Sequence, residues 1–433
     1  MTAIIERCAG IDVGKKFITV CVLIGTADAD PTAEKRMFGT FNAELEALRE
    51  WLREQGCTHI AMESTGPYWR PVFNILEDAF IVVLANGEQV KARRGHKTDW
   101  KDCAGLAHLL RHGMIRPSFI PPRAIRELRD LTRRRKRILG HGTSERNRIQ
   151  KALEDANVKL GNVLTDVFGA SGQLILKALL DGKSDPSEMA ELARGTARKK
   201  IPALVDALQA HRMSDHHRTM IQFSVEHLQF LEQQLQAIDA EILKRINESS
   251  LEEVFRLLQT IPGVQQDSAA TILAEIGPDL KTFPSAAHLS SWAGVCPGNT
   301  RSAGKERDPH VTHGNRWLRT ALVECAWAAS VKKNCFLHDR FWRLAGGGNR
   351  KRALMAIAHG LLGLIYTALT SRQPYQERGA IELDEAKRQR LIRHHIRRLG
   401  KLGICFSSRL QDYVAVDLRR GPRQNRKPAS SST

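Results

Sequence analysis

The chain is short of acid. Its 433 residues carry 47 Asp and Glu against 66 Lys and Arg, a formal charge of +19 with His neutral. That imbalance points to a polyanionic partner, nucleic acid first among them. The eight cysteines include no Cys-x-x-Cys pair, so neither a zinc knuckle nor a disulfide framework is suggested, and a reducing cytoplasm is the expected compartment. Long apolar runs are missing too. The most apolar stretch, residues 353–369, is broken by His359 and glycines and is short for a bilayer span, and no signal peptide is read at the start. A membrane role is not expected. There is also no Gly-x-Ser-x-Gly elbow, which removes the usual sequence sign of a serine hydrolase.

What the chain does have is four carboxylates in settings that aim them at one point. Asp12 lies in CAGIDVGKK, Glu63 in HIAMESTG, and Asp99 and Asp102 in KTDWKDCAGLAHLL. Taken singly, each reads as the end of a strand or the acidic first turn of a helix. Asp12 is the exception, because it interrupts the apolar run from Ile11 to Val13, where a charge needs a partner or a metal. Crowded anions raise one another's pKa, so such a group is stable only when divalent cations neutralise it. Paired Mg²⁺ suits phosphoryl transfer, where it clamps the attacking and leaving oxygens.

Residues 8–13, 17–23 and 36–41 read as three strands, the first two joined by a Gly14-Lys15-Lys16 turn. Helical spacing follows at 44–53, a strand at 58–63, a helix at 71–77 and an apolar strand at 80–85. A helix over 98–111 takes Thr98 as its N-cap and sets Asp99 and Asp102 one turn apart. Three strands followed by helix, strand, helix, strand, helix is the order of an RNase H-like α/β fold. Lys91, Arg93, Arg94, His96, Lys97 and Lys101 flank the carboxylates, placed to hold a phosphate backbone beside them.

Beyond Pro121 and Pro122 the texture turns helical and arginine-rich. The domains are expected at 1–122 for the carboxylate unit, 123–250 for a helical, coiled-coil middle, 251–372 for a mainly helical third unit, and 373–433 for a basic extension with a disordered tail. A stripe of Ile221, Val225, Leu228, Leu231, Leu235, Ile238, Ile242 and Ile246 suits either a seam between protomers or a hairpin within the chain. LLQTIPGVQQDSAATILAEIG resembles a helix-hairpin-helix, with Gly263 at the turn and Gln265 where a second glycine is usual. After it comes a polar loop holding Arg301, Ser302, Gly304, Lys305 and Arg307. A serine there needs outside activation, which metals brought from elsewhere in the fold would supply.

Together, GIDVGKKFITVCVL, AMESTGPYW, KTDWKDCAGLAHLLRHG, TIPGV and WAGVCPGNTRSAGK resemble the DEDD-type insertion-sequence transposases over residues 5–370. The resemblance implies an RNase H-like (RuvC-like) N-terminal domain and a C-terminal transposase domain. It makes Asp12, Glu63, Asp99 and Asp102 the metal ligands and Ser302 the nucleophile of a composite site. It also implies double-stranded donor and target DNA, a structured guide RNA, and a homo-oligomer, dimer or tetramer, as partners. Ala85-Asn86-Gly87 stands where Asn-Pro is common, and Cys103 where alanine is usual. Two other readings remain open at this point: an RNase H-like junction nuclease using water in place of the serine, and a noncatalytic architectural protein that only holds nucleic acid.

Overall fold

The computed structural model describes residues 3–64, 66–85, 99–297, 311, 313–377, 389 and 392–398, together with the backbone of 301–302 and 305–306. Strands β1 (Arg7–Val13), β2 (Phe17–Ile24) and β3 (Thr32–Gly39) form an antiparallel meander. Gly14 N–H donates to the Phe17 carbonyl to close the first turn. Helix α1 (Asn42–Glu54) leads to β4 (His59–Glu63), and α2 (Trp69–Leu76) leads to β5 (Ile81–Ala85). Both later strands run parallel to β1, giving the order β3-β2-β1-β4-β5. A mixed sheet of this order, followed by a helical remainder, fits the expected RNase H-like unit.

The sheet is apolar on both faces, as parallel strands covered by helices require. One face packs Ile11, Ile18, Val20, Ile60 and Met62 against Leu45, Leu48 and Leu52 of α1 and Leu76 of α2. Burying each such side chain contributes about 1.5–3 kcal/mol. The other face packs Cys8, Cys21, Leu23 and Ala61 against Cys103, Leu106, Ala107 and Leu110 of α3 (Asp99–Arg111). The third strand begins four residues earlier than its apolar pattern suggests. Its first six residues are exposed, so hydrophobicity carries no signal there, and pairing with β2 from Thr32 onward sets its length.

The long helix α4 (Arg123–Asp155) runs antiparallel to α9 (Asp215–Asn247). The apolar stripe of α9 is used inside the chain. Ile221, Leu228, Leu231, Ile242 and Ile246 are buried and Val225, Leu235 and Ile238 half-buried. Arg135 grips Asp239 through two hydrogen bonds, and Arg245 reaches Glu127 at 2.9 Å, fixing the register of the pair. Between the two helices, α5 (Leu160–Val163), α6 (Ala170–Leu180), α7 (Pro186–Ala190) and α8 (Ile201–Leu208) form a small unit whose core, around Leu160, Ile175, Leu179 and Leu204, also takes in Ile149 and Leu153 of α4 and Ile221 and Leu228 of α9.

The third core is the largest and is not confined to residues 251–372. Ile125 and Leu128 of α4 and Ile242 and Ile246 of α9 belong to it, beside α10 (Glu252–Gln259), α11 (Gln266–Ile276), α12 (Ala286–Ala293), α13 (Arg316–Val331), α14 (Phe336–Ala345) and α15 (Arg350–Ser371). The proposed boundary at residue 123 therefore falls where one helix already joins two units. Among the described residues, α15 alone is long and apolar enough to cross a membrane. It buries Ala353, Ile357, Leu361, Leu362 and Ile365 in this core. The tail beyond residue 398 and the expected N-cap Thr98 lie outside the described residues.

Gly10 sets how closely α3 lies on the sheet: a Cβ there would meet the Cys103 carbonyl at 2.1 Å and the Ala107 nitrogen at 2.4 Å. Both are backbone atoms that no rotamer change can clear. Gly10→Ala is expected to cost about 2 kcal/mol or more in equilibrium denaturation. Parental stability for that variant would rule out the close contact.

Candidate active site

Along the parallel pair β1 and β4, Ile11 stands opposite Met62, so the next residues in register are Asp12 and Glu63. Strand pleat alternates side chains between faces. Ile11 and Met62 pack toward α1 and α2, while Cys8 and Ala61 pack toward α3. Asp12 and Glu63 therefore belong to the α3 face, at the C-terminal ends of their strands. Thr19 stands opposite Asp12 across β1 and β2. Its hydroxyl donates to the Asp99 carbonyl at 3.4 Å, which brings the first turn of α3 over these strand ends. Asp99 and Asp102 share that turn. Asp12, Glu63 and Asp102 are half-buried and Asp99 is exposed.

The backbone thus gathers the four predicted carboxylates at one edge of one face. Among the described residues, however, no three His, Cys, Asp or Glu side chains close into a group that would hold a metal ion. The strand ends and the first turn of α3 come together, and the expected metal cage is not formed by these side chains. The donor set itself fits a hard divalent cation, since carboxylate oxygens suit Mg²⁺, Ca²⁺ or Mn²⁺ and not soft metals.

The far end of α3 is fixed by Arg111, whose side chain is almost wholly buried. Its guanidinium donates to the carbonyls of Glu6 and Gly25 at 3.1 Å, of Thr26 at 2.7 Å, and of Ile5 and Ala29 at longer range. Five carbonyl dipoles replace the water that the charge loses on burial. With Gly10 at the middle and Thr19 at the start, α3 is held along its whole length.

The serine loop is braced from below. Ser302 lies on a two-residue strand, β6 (Arg301–Ser302), and pairs with Lys305 of β7 (Lys305–Glu306). At the base of the loop Pro297 bridges to Val311, and Asn315 donates its N–H to the Trp292 carbonyl at 3.0 Å. The Asn315 side-chain oxygen caps α13 by accepting from Trp317 and Leu318 N–H. Its amide nitrogen donates to Glu275 at 2.6 Å. Glu275 on α11 is fully buried. Arg133 donates to both of its oxygens, at 2.7 and 2.9 Å, and Arg129 stands 3.5 Å away. Burial lowers Arg129 to about 10, which leaves it protonated at neutral pH. One carboxylate therefore ties the end of the serine loop to α4.

Gly263 turns the hairpin between α10 and α11 with φ +86°, and its Cα side faces α13: a Cβ would meet the Cys325 carbonyl at 2.3 Å. The glycine here serves a left-handed turn and a helix contact. Three of the buried cysteines are poor nucleophiles. Burial pushes the Cys8 and Cys325 thiols up to about 11 and the Cys57 thiol up to about 12, far from a thiolate at neutral pH.

Of the other expected contacts, Lys101 is exposed on α3. Lys91, Arg93, Arg94, Lys97 and Arg307 lie outside the described residues, as do the side chains of Arg301, Ser302 and Lys305. Sequence reasoning missed Arg111, Glu275 and Asn315. Only Asn315 had a readable signal, as a cap just before an apolar helix.

Known proteins resemble this chain in two segments. A transposase family model of the DEDD type, for IS110 elements, matches residues 9–158, and the Transposase IS116/IS110/IS902 family matches residues 255–342. The chain is 30% identical over 149 residues to the "Insertion element IS110 uncharacterized 43.6 kDa protein" of Streptomyces coelicolor, covering 34% of this chain and 35% of that protein. It is 30% identical over 125 residues to the "Pilin gene-inverting protein" of Moraxella bovis, covering 28% and 38%. It is 29% identical over 150 residues to the "Putative transposase y4pF/y4sB" of Sinorhizobium fredii, covering 33% and 38%. The chain thus spans little more than a third of the length of these curated relatives. Among solved structures, RuvC of Thermus thermophilus aligns with 26% of this chain and 99% of its own, at 15% identity and a TM-score of 0.21. A likeness at that level carries no argument.

Removing Glu275 leaves Arg129 and Arg133 facing each other without their carboxylate. Glu275→Ala is expected to lower the unfolding free energy by roughly 3–5 kcal/mol, and Glu275→Gln by less, because an amide still meets Asn315. Denaturant titration followed by circular dichroism measures both. Two variants within about 0.5 kcal/mol of the parent would show that the network is not holding the loop base.

Proposed function

The chain belongs to the DEDD-type insertion-sequence transposase family, and from that premise we propose that it cuts and rejoins DNA by a serine-based phosphoryl transfer. The observation that supports this reading best is the seating of the first turn of α3, with Asp99 and Asp102, over the strand ends that carry Asp12 and Glu63. The relatives named for a transposase and for pilin-gene inversion support DNA as the substrate.

In this reading Asp12, Glu63, Asp99 and Asp102 hold paired divalent cations, Mg²⁺ by preference. Cations held by these four residues would supply Lewis acidity toward a hydroxyl and the scissile phosphate. The Ser302 hydroxyl gives up its proton to solvent water and its oxygen bonds to phosphorus. The phosphorus–oxygen bond to one deoxyribose breaks, and the departing sugar oxygen takes a proton from solvent water to become a hydroxyl. The product is a phosphoserine link to one strand. Its ester bond keeps the free energy of the broken one, so rejoining needs no external energy source. Arg301 and Lys305 stabilise the charge that builds on the phosphorane. The loop meets the carboxylates within one subunit or across two, in a dimer or tetramer. A structured guide RNA that pairs with donor and target supplies the sequence choice.

Ser302→Ala should abolish the denaturant-resistant protein–DNA adduct while leaving DNA affinity within about twofold of the parent. An adduct that persists in that variant removes Ser302 from the role. Asp12→Asn should lower metal-dependent adduct formation by more than about 100-fold. Free strand ends with no protein attached would instead favour a nuclease that uses water.

A further inference from the structure

Three guanidinium groups converge on one indole beside the loop base. Arg316 stands 4.8 Å from the Trp317 ring centre, Arg133 5.5 Å and Arg137 5.7 Å. Arg133 is neutralised by Glu275. Arg137 and Arg316 are exposed, and among the described residues neither has a carboxylate in ion-pair reach. They come from two different helices, α4 and α13, so folding itself forces the like charges together. Two cations held against one indole repel, and an anion between them turns that repulsion into attraction.

Trp317 also walls a groove of about 410 Å³ between α4, α11 and α13, lined by Arg133, Gln265, Ser268 and Thr320 and by two carboxylates, Asp267 and Glu324, that Arg135 and Lys136 neutralise; Arg137 and Arg316 stand beside it, on Trp317. Hydroxyls, an amide, guanidinium groups and an aromatic plane are the groups that bind a sugar–phosphate backbone and stack its bases. We infer that a phosphodiester segment of the nucleic acid lies against Trp317 beside this groove, held between Arg137 and Arg316. The assignment rests on the reading of the chain as a nucleic-acid enzyme, but not on Ser302 or on metal.

The test is binding without chemistry. Full-length Ser302→Ala protein in EDTA is titrated with a labelled DNA duplex and, separately, with a labelled RNA stem-loop across a range of salt. Arg137→Gln with Arg316→Gln is expected to weaken binding roughly tenfold and to reduce the slope of log K against log salt by about 1 to 2. Arg316→Lys on the Arg137→Gln background should restore most of one unit of slope. Lys177→Gln with Lys199→Gln removes the same charge from the small helical unit and should leave the slope unchanged. Loss for the duplex alone assigns the cluster to DNA, loss for the stem-loop alone assigns it to RNA, and either supports the site. A slope equal to the parent's for both probes, or a loss no greater than that of the Lys177 and Lys199 pair, overturns it. Failure of the serine assignment shows as an adduct in Ser302→Ala and leaves this measurement untouched.

Discussion

The approach of α3 to the sheet governs the N-terminal half of the molecule. A helix packed on a sheet ordinarily keeps side chains between the two backbones. Here Gly10 removes that layer at one point, and the helix settles until its backbone touches the strand. The contact decides where the first turn of α3 ends up, and so where Asp99 and Asp102 stand relative to Asp12 and Glu63. Arg111 and Thr19 then stop the helix from sliding or lifting at its two ends. Side chains carried on independent elements keep a fixed spacing only when those elements are held this rigidly.

The C-terminal half solves a different problem. The polar segment between α12 and α13, residues 294–315, has few apolar side chains in its sequence with which to fix itself. Its ends are fixed instead, by a strand bridge at Pro297 and Val311 and by the Asn315 cap. Glu275 extends that anchorage to α4, the helix that follows the N-terminal unit directly. A buried carboxylate shared by two arginines and an amide is costly to desolvate and costly to break, which makes it suited to fixing a position. The same α4 supplies Arg137 to the Trp317 cluster, so one helix serves both the anchorage and that cluster.

How much of this was readable from the chain depends on whether the signal was local. Asp12 could be picked out because a charge breaks an apolar strand, and Asp99 and Asp102 because three residues make one turn. The strand order followed from the alternation of periods. Arg111 could not be found this way. On paper it is one more arginine at the basic end of a helix, and only the fold shows five carbonyls closing around it. Glu275 was hidden for the same reason, as a polar residue in an amphipathic helix whose partners lie about 140 residues upstream and 40 residues downstream. The stripe on α9 was visible, but its partner was not, because periodicity describes a face and not what covers it. The start of β3 was missed because an exposed edge strand has no apolar pattern to read.

Helices α4 and α9 are 33 residues each, about 50 Å at 1.5 Å per residue. They leave the C-terminal core side by side and carry a separately packed unit at the far end. Such a pair is a lever arm. A tilt of about 5° at its root would sweep the tip through roughly 4 Å, so a small rearrangement around Glu275 and Arg129 would be felt most at the far end.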